Sequence, residues 1–154
     1  MLDCSEEKYS AVAQEILKRA NGRSCVLLLE GEMGAGKSTF ARAVLRELGV
    51  SDEAFQGSPT FSITHTYDSQ VGRGRVITHT DLYRIQDEGE LELSGIEESL
   101  WSTDNIFALL EWGSMWPVFT SQIHSKLSQS KWVLEIRLEE SSSGGRNLLL
   151  REIV

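Results

Sequence analysis

The residues from Cys25 to Ser38, CVLLLEGEMGAGKS, carry the clearest signal of the fold. Its first five residues form a continuous apolar run of strand length, which is typical of a strand buried on both faces of a parallel sheet. A loop with three glycines follows. The residues from Lys37 to Leu48 then predict a helix that ends at Gly49. Strand, glycine-rich loop and helix are therefore consecutive.

The loop itself, Gly31 to Ser38, matches the phosphate-binding pattern G-x-x-x-x-G-K-[ST]. Glycines let backbone N–H groups converge on phosphate oxygens, and the following helix adds the positive end of its dipole. Lys37 is expected to reach the β and γ phosphates and Ser38 to ligate magnesium. The predicted cofactors are therefore ATP and Mg²⁺, and the loop residues expected to contact the nucleotide are Glu32, Met33, Gly34, Ala35, Gly36, Lys37, Ser38 and Thr39. The alternative is a glycine turn that binds nothing, which the flanking strand and helix disfavour.

Magnesium bound to phosphate usually takes a further carboxylate, often from the end of a neighbouring buried strand. Two residues qualify. Asp81 follows the predicted strand Val76 to Thr80, and Glu111 follows the apolar run Ile106 to Leu110. Either one could bind the ion directly, bind it through water, or orient the attacking water; a solvated loop carboxylate is the alternative for each.

The remaining pattern predicts an α/β protein with one domain over residues 1–154, since 154 residues suffice for one core and not for two. An amphipathic helix is predicted from Glu6 to Ala20. Strands from Phe61 to Tyr67 and from Val76 to Thr80 are predicted to form a hairpin around Gly72-Arg73-Gly74, and residues 87–104 to form one or two short helices. A terminal hairpin is expected from residues 132–138 and 148–154.

Net charge is −8, and the acidic residues are concentrated in the middle of the chain. Between Val50 and Met115 there are three basic and twelve acidic residues. Nucleic-acid binding depends on neutralising phosphates, so the chain alone is not expected to bind DNA or RNA, and any nucleic-acid role would need a partner. No apolar run reaches membrane-spanning length and no export signal is apparent, so we expect a cytoplasmic protein with no membrane partner and with Cys4 and Cys25 reduced.

Three further sequence motifs accompany the glycine loop: His79-Thr80-Asp81-Leu82-Tyr83-Arg84, Ser58-Pro59-Thr60-Phe61 and Glu111-Trp112. From about Leu28 to Pro117, the chain resembles the bacterial TsaE (YjeE) family, ATPases of tRNA threonylcarbamoyladenosine biosynthesis. Ser38 and Met33 depart from the threonine and leucine more usual there, without loss of a needed ligand. The C-terminal strands match only weakly.

The resemblance implies a three-layer P-loop NTPase fold with a mixed, mainly parallel central sheet flanked by helices. It also implies an accessory, partner-dependent ATPase that works with the TsaB–TsaD complex to modify the adenosine beside the tRNA anticodon. By the same resemblance, Lys37, Thr60, Asp81 and Glu111 are catalytic, with Thr60 on a switch-like loop. The resemblance also implies that Trp112 lies near the nucleotide, that Ser38, Asp81 and Glu111 serve the metal, and that tRNA is contacted only indirectly through the partners.

Two other functions remain open at this point. A small-molecule kinase uses the same loop, although few arginines are available to cover the phosphates. The other alternative is an ATP-sensing interaction module, which would bind ATP and a partner without useful hydrolysis of the ATP. A GTPase is disfavoured because no N-K-x-D element is found. For His65 and His79 a structural role is favoured over zinc, and for Arg84 a structural ion pair is slightly favoured over a phosphate or partner contact.

Overall fold

The order of helices and strands follows the predicted alternation. The structure is a computed structural model and describes residues 2–4, 6–55, 63–68, 74–142 and 144–153. The strands are β1 Leu2–Cys4, β2 Cys25–Glu30, β3 Thr64–Asp68, β4 Val76–Asp81, β5 Ile106–Glu111, β6 Trp132–Glu140 and β7 Arg146–Ile153. The α-helices are α1 Glu6–Ala20, α2 Lys37–Glu47, α3 Glu88–Leu93, α4 Ile96–Ser102 and α5 Pro117–Ser125.

Seven strands of the described residues form one sheet, in the order β1-β7-β6-β2-β5-β4-β3. The four central strands, β6, β2, β5 and β4, are parallel to one another. The outer pairings, β1 with β7, β7 with β6, and β3 with β4, are antiparallel. All six residues of β2 and of β5 are buried: five in each form the apolar run that predicts burial, and the sixth is a glutamate, Glu30 or Glu111.

Helices cover both faces of the sheet, because successive residues of the buried strands point to opposite sides. On one face, Cys25, Leu27 and Leu29 join a core that includes side chains of α1 and α2. On the other, Val26 and Leu28 join a second core with side chains of α3, α4 and α5. The predicted three-layer arrangement with a mixed central sheet is confirmed.

The sequence predicted most of these elements and missed two. Helix α1 matches its predicted bounds, residues 87–104 contain the two short helices α3 and α4, and both hairpins are antiparallel. Strand β3 begins at Thr64 rather than Phe61; residues 61–62 and the turn residues 72–73 lie outside the described part of the chain. Strand β1 and helix α5, which begins with Pro117 in its first turn, were not predicted. Among the described residues, no helix has the length and apolar character needed to cross a bilayer.

The strand register places the functional residues together. In the parallel pairing of β4 with β5, Asp81 lies beside Glu111, and in the pairing of β5 with β2, Glu111 lies beside Leu29. The carboxyl ends of three adjacent strands therefore meet where the glycine loop leaves β2. In open α/β sheets, ligands bind at this edge.

Candidate functional site

The glycine loop takes a backbone path that requires its glycines. Gly31, Gly34 and Gly36 have φ angles of 142°, 81° and 100°, in the left-handed region that other residues seldom adopt. At Gly31 a Cβ atom would also overlap the carbonyl oxygen of Leu138 on β6. Helix α2 then begins with Gly36 as its N-cap and no side-chain cap, so the N–H groups of its first turn remain directed at the loop.

Lys37 is almost buried beneath the loop, with 5% of its surface exposed. Its Nζ atom donates hydrogen bonds of 2.8 Å to the carbonyl oxygens of both Gly31 and Glu32, and it lies 3.7 Å from the centre of the Trp112 ring. Burial lowers the pKa of Lys37, and the nearby carboxylates of Glu111, Asp81 and Glu30 act in the opposite direction. A cation is thus held where the motif predicts a phosphate-binding lysine.

Glu111 is held from two sides. The hydroxyl of Ser38 lies 3.2 Å and 3.3 Å from its two carboxylate oxygens. His79 Nε2 lies 2.7 Å from Oε1, and because a carboxylate accepts hydrogen bonds, this nitrogen donates. His79 is fully buried and Glu111 is 2% exposed. Ser38 and Glu111, both predicted to serve the metal, are therefore in contact, and His79 contacts the carboxylate from its buried side.

Asp81 lies at the end of β4 with 8% of its surface exposed. Its side chain accepts a 3.0 Å hydrogen bond from the backbone N–H of Tyr83 and so caps the 3₁₀ turn Leu82–Arg84. The ring of Tyr83 lies 5.0 Å from that of Trp112. Asp81 therefore positions this turn, and it also lies beside Glu111 in the register of β4 with β5.

Sequence reasoning missed Glu30, the last residue of β2. It is buried, and its carboxylate accepts hydrogen bonds from the backbone N–H and the hydroxyl of Ser114, at 2.8 Å and 2.6 Å. A Cβ atom on Gly113 would approach Glu30 Oε1 to 3.0 Å. Glu30 thus fixes the 3₁₀ turn Gly113–Met115 that follows Glu111. An acidic residue at the end of an otherwise apolar strand, directly before the glycine loop, was the signal that could have found it.

Two adjoining clefts lie along the loop. The smaller, of about 380 Å³, is lined by Lys37, Ser38, Asp81 and Glu111 together with Met33, Gly34, Gly36, Thr39, Tyr83, Arg84 and Trp112. The larger, of about 670 Å³, is lined by the loop residues 30–35, by Trp112 and Ser114, and by residues 137–140 of β6. Every described residue predicted for the site lines one cleft or both; Thr60 lies outside the described residues.

The arrangement fits a magnesium ion only if the ion is shared with a phosphate. Within the described ranges, no group of three or more His, Cys, Asp and Glu side chains could hold a metal by itself. Ser38, Glu111 and Asp81 instead supply oxygen atoms beside a loop suited to phosphate. Mg²⁺ is commonly held in this way, by one or two carboxylates plus substrate phosphates and water.

The two histidines and Arg84 lie in different surroundings. His65 and His79 are register partners across β3 and β4, without the third ligand of a zinc site in the described residues. Burial, followed by the nearby His79, lowers the pKa of His65. Arg84 is exposed at the rim of the smaller cleft, and no ion pair between described residues includes it, so the slightly favoured ion pair is not found there.

A sheet of this order, with a glycine loop between β2 and α2, has the P-loop NTPase fold. The structure is similar to the crystal structure of Bacillus subtilis YdiB, with a TM-score of 0.64 and 21% identity, over 98% of this chain and 82% of that one.

The family model described as "Threonylcarbamoyl adenosine biosynthesis protein TsaE" matches residues 4–148. The chain is 36% identical over 100 residues to the tRNA threonylcarbamoyladenosine biosynthesis protein TsaE of Haemophilus influenzae, covering 65% of this chain and 59% of that protein. It is 37% identical over 91 residues to the Aquifex aeolicus protein of the same name, covering 59% and 65%. These alignments thus span less than two thirds of each relative. The chain belongs to the TsaE family.

Proposed function

We propose that this chain is an accessory ATPase of tRNA threonylcarbamoyladenosine biosynthesis. In this proposal it binds ATP with Mg²⁺, hydrolyses it slowly alone, and acts in the cytoplasm with the TsaB–TsaD complex on the adenosine adjacent to the anticodon. The observation that carries the proposal is the contact of Ser38 with Glu111 beside the buried Lys37. This arrangement joins the three groups that phosphoryl chemistry needs: a cation for phosphate, a hydroxyl for the metal and a carboxylate.

Lys37 already directs its ammonium group at oxygen atoms. In the nucleotide complex it would exchange the carbonyl acceptors of Gly31 and Glu32 for β and γ phosphate oxygens. The amides of the loop and of the first turn of α2 would donate to the same phosphates. Mg²⁺ supplies neutralisation of charge on the transferred phosphoryl group, with Ser38 as one ligand and Glu111 or Asp81 as another.

The two carboxylates, Glu111 and Asp81, differ in their contacts and therefore suit different roles. Glu111 is held by both Ser38 and His79, whereas Asp81 lies beside it in the β4–β5 register and caps the turn that carries Tyr83. One carboxylate would therefore hold the ion while the other orients the attacking water.

The side chains of the site support the proposal that the chain alone hydrolyses ATP slowly. Among the described residues that line the smaller cleft, Lys37 is the buried cation, and Arg84 is exposed at its rim. Phosphoryl transfer is commonly accelerated by an additional arginine that stabilises the charge of the transition state, in some enzymes supplied by a partner. Dependence on a partner is consistent with this arrangement.

Nucleotide binding is tested by calorimetric titration and thermal unfolding of the wild type and Lys37→Ala. At 100 times Kd, Mg-ATP should add about 2.7 kcal/mol to the free energy of unfolding, which raises Tm by roughly 5–10 °C in a chain of this size. Lys37→Ala should lose most of the binding heat and most of this shift. Absence of heat and of any Tm change in the wild type would refute the proposal.

The role in modification is tested by reconstitution with tRNA, TsaB and TsaD. The complex should raise the ATPase rate of this chain, and omission of the chain or use of Lys37→Ala should abolish sustained modification. Glu111→Gln keeps an oxygen acceptor for Ser38 and His79 but removes the charge. It should retain nucleotide binding and lose modification. Full modification with this variant would favour an ATP-sensing module over an ATPase.

A further inference from the structure

An apolar groove lies beside the candidate site, between α3 and α4 on one side and the beginning of α5 on the other. Its volume is about 290 Å³, and its apolar lining is formed by Leu91, Met115, Trp116, Pro117, Val118 and Phe119. Leu91 and Phe119 are buried at its base, whereas Met115 is 46% and Val118 63% exposed. Leu93, also on α3, is 90% exposed. Large apolar side chains that remain open to water around a groove are typical of a protein-binding surface.

The rim of the groove is acidic. Glu88, Glu92 and Glu97 line it, without any lysine or arginine among the lining residues. The sequence from Ile85 to Ser125 contains eight acidic residues and no lysine or arginine. None of the ion pairs between described residues includes a carboxylate of the rim. These charges are therefore not neutralised by the chain's own basic side chains in the described structure.

The groove is connected to the candidate site through its own lining. The indole Nε1 of Trp116 donates a 3.2 Å hydrogen bond to the carbonyl oxygen of Leu82, the residue after Asp81. Met115 belongs to the same 3₁₀ turn as Ser114, which binds Glu30 at the end of β2. A molecule bound in the groove would thus contact Met115 in the turn after Glu111, and Trp116, which is hydrogen-bonded to the turn after Asp81.

We propose that this groove docks a segment of a partner protein that presents an apolar side chain flanked by lysine or arginine residues. The apolar anchor would fill the space between Leu91, Met115 and Val118, and the basic side chains would pair with Glu88, Glu92 and Glu97. Charge complementarity of this kind accelerates association and selects the partner. Nucleic acid is disfavoured as the occupant because its phosphates would face carboxylates.

The inference rests on the proposed function for its partner, the TsaB–TsaD complex, and binding of that complex tests it. Biolayer interferometry would compare the wild type with Glu88→Lys/Glu92→Lys and with Val118→Asp. Glu15→Lys/Glu53→Lys is the matched control, since it reverses two exposed acidic residues that do not line the groove. We expect each groove variant to weaken Kd at least about ten-fold, the lysine variant chiefly through a slower association rate and a weaker dependence on salt.

The outcomes separate the two proposals. All variants should bind Mg-ATP within about two-fold of the wild type, since the substituted residues lie outside the candidate site, and this shows that they are folded. Failure of the wild type to bind TsaB–TsaD refutes the proposed function and this inference together. Normal wild-type binding with groove variants equal to the control overturns the inference alone. A wild-type dimer that the groove variants dissociate, measured by light scattering, overturns it in favour of a second copy of the chain.

Discussion

At the scale of single residues, the site depends on how one carboxylate is held. Glu111 carries the metal or water contact in the proposed reaction, and its Oε1 atom lies 2.7 Å from the buried His79 Nε2. His79 is too deeply buried to reach a nucleotide itself, with no surface exposed. We therefore interpret it as a positioning residue that restricts the rotation of the Glu111 side chain.

Replacement of His79 tests this interpretation. His79→Leu removes the donor while keeping an apolar side chain of similar bulk, and it should lower kcat of the partner-stimulated ATPase at least about ten-fold, since a hydrogen bond to a charged group contributes about 1.5–3 kcal/mol. His79→Gln places an amide N–H near the position of Nε2 and should restore much of the rate. Steady-state kinetics at varied Mg²⁺ separates kcat from metal and nucleotide affinity.

His65→Leu is the control for this experiment, because His65 is the register partner of His79 on β3 and its ring contacts Tyr67 rather than Glu111. It should leave kcat within about two-fold. Equal loss of kcat in His79→Leu and His79→Gln would mean that the ring acts by packing, and that the donated hydrogen bond has no effect on the rate.

At the scale of elements, the connection between β2 and α2 is shaped by β6 as well as by its own sequence. Gly31 faces the carbonyl of Leu138 on β6, the strand parallel to β2 on the side away from β5. By contrast, a Cβ atom at Gly34 would meet nothing within 4 Å. The two glycines share a positive φ angle, 142° and 81°, and differ in the space around them.

Alanine at these two positions should therefore have unequal effects. Gly34→Ala is expected to cost about 1–2 kcal/mol from its left-handed backbone alone. Gly31→Ala adds a collision with backbone, which typically costs a further 1–3 kcal/mol or so. Thermal unfolding should show a drop in Tm of roughly 2–4 °C for each kcal/mol. Equal Tm values for the two variants would contradict the close approach of β6 to the loop.

At the scale of the whole molecule, the distribution of charge has different consequences for nucleotide binding and for nucleic-acid binding. The chain has a net charge of −8, and acidic residues are concentrated in and around α3 and α4. In the proposed function, the buried Lys37 would attract a triphosphate through short-range contacts within the cleft, but an extended RNA would meet the acidic surface around it. We therefore expect that, in the proposed function, another protein holds the tRNA.

Direct binding of tRNA measures this effect. At physiological salt, fluorescence anisotropy with labelled tRNA should give a Kd weaker than about 100 µM, the weak limit of ordinary non-specific binding. Adding Mg-ATP should not change it. Micromolar affinity with a steep decrease on raising the salt concentration would show that the chain contacts tRNA phosphates itself.

Local sequence determined much of this protein. The buried strand β2, the glycine loop, α1, α2 and short helical structure within residues 87–104 were all predicted, because apolar periodicity and glycine act over a few residues. Lys37, Ser38, Asp81 and Glu111 were predicted as site residues from their positions after a strand or in the loop, and in the structure they line one cleft. Helix α5 was missed because its sequence, PVFTSQIHS, has only a weak amphipathic pattern and buries just Phe119 and Ile123.

Which of these residues contact one another depends on how the whole chain folds. The register of β4 with β5 sets Asp81 beside Glu111, His79 contacts a carboxylate 32 positions away, and Glu30 holds a serine 84 positions away. Such contacts depend on strand order and register across the whole sheet, for which the spacing within any one segment carries no signal. The sequence thus determined that a glycine-rich loop of the phosphate-binding pattern and two strand-end carboxylates exist, and the packing of the sheet determined that they line one cleft.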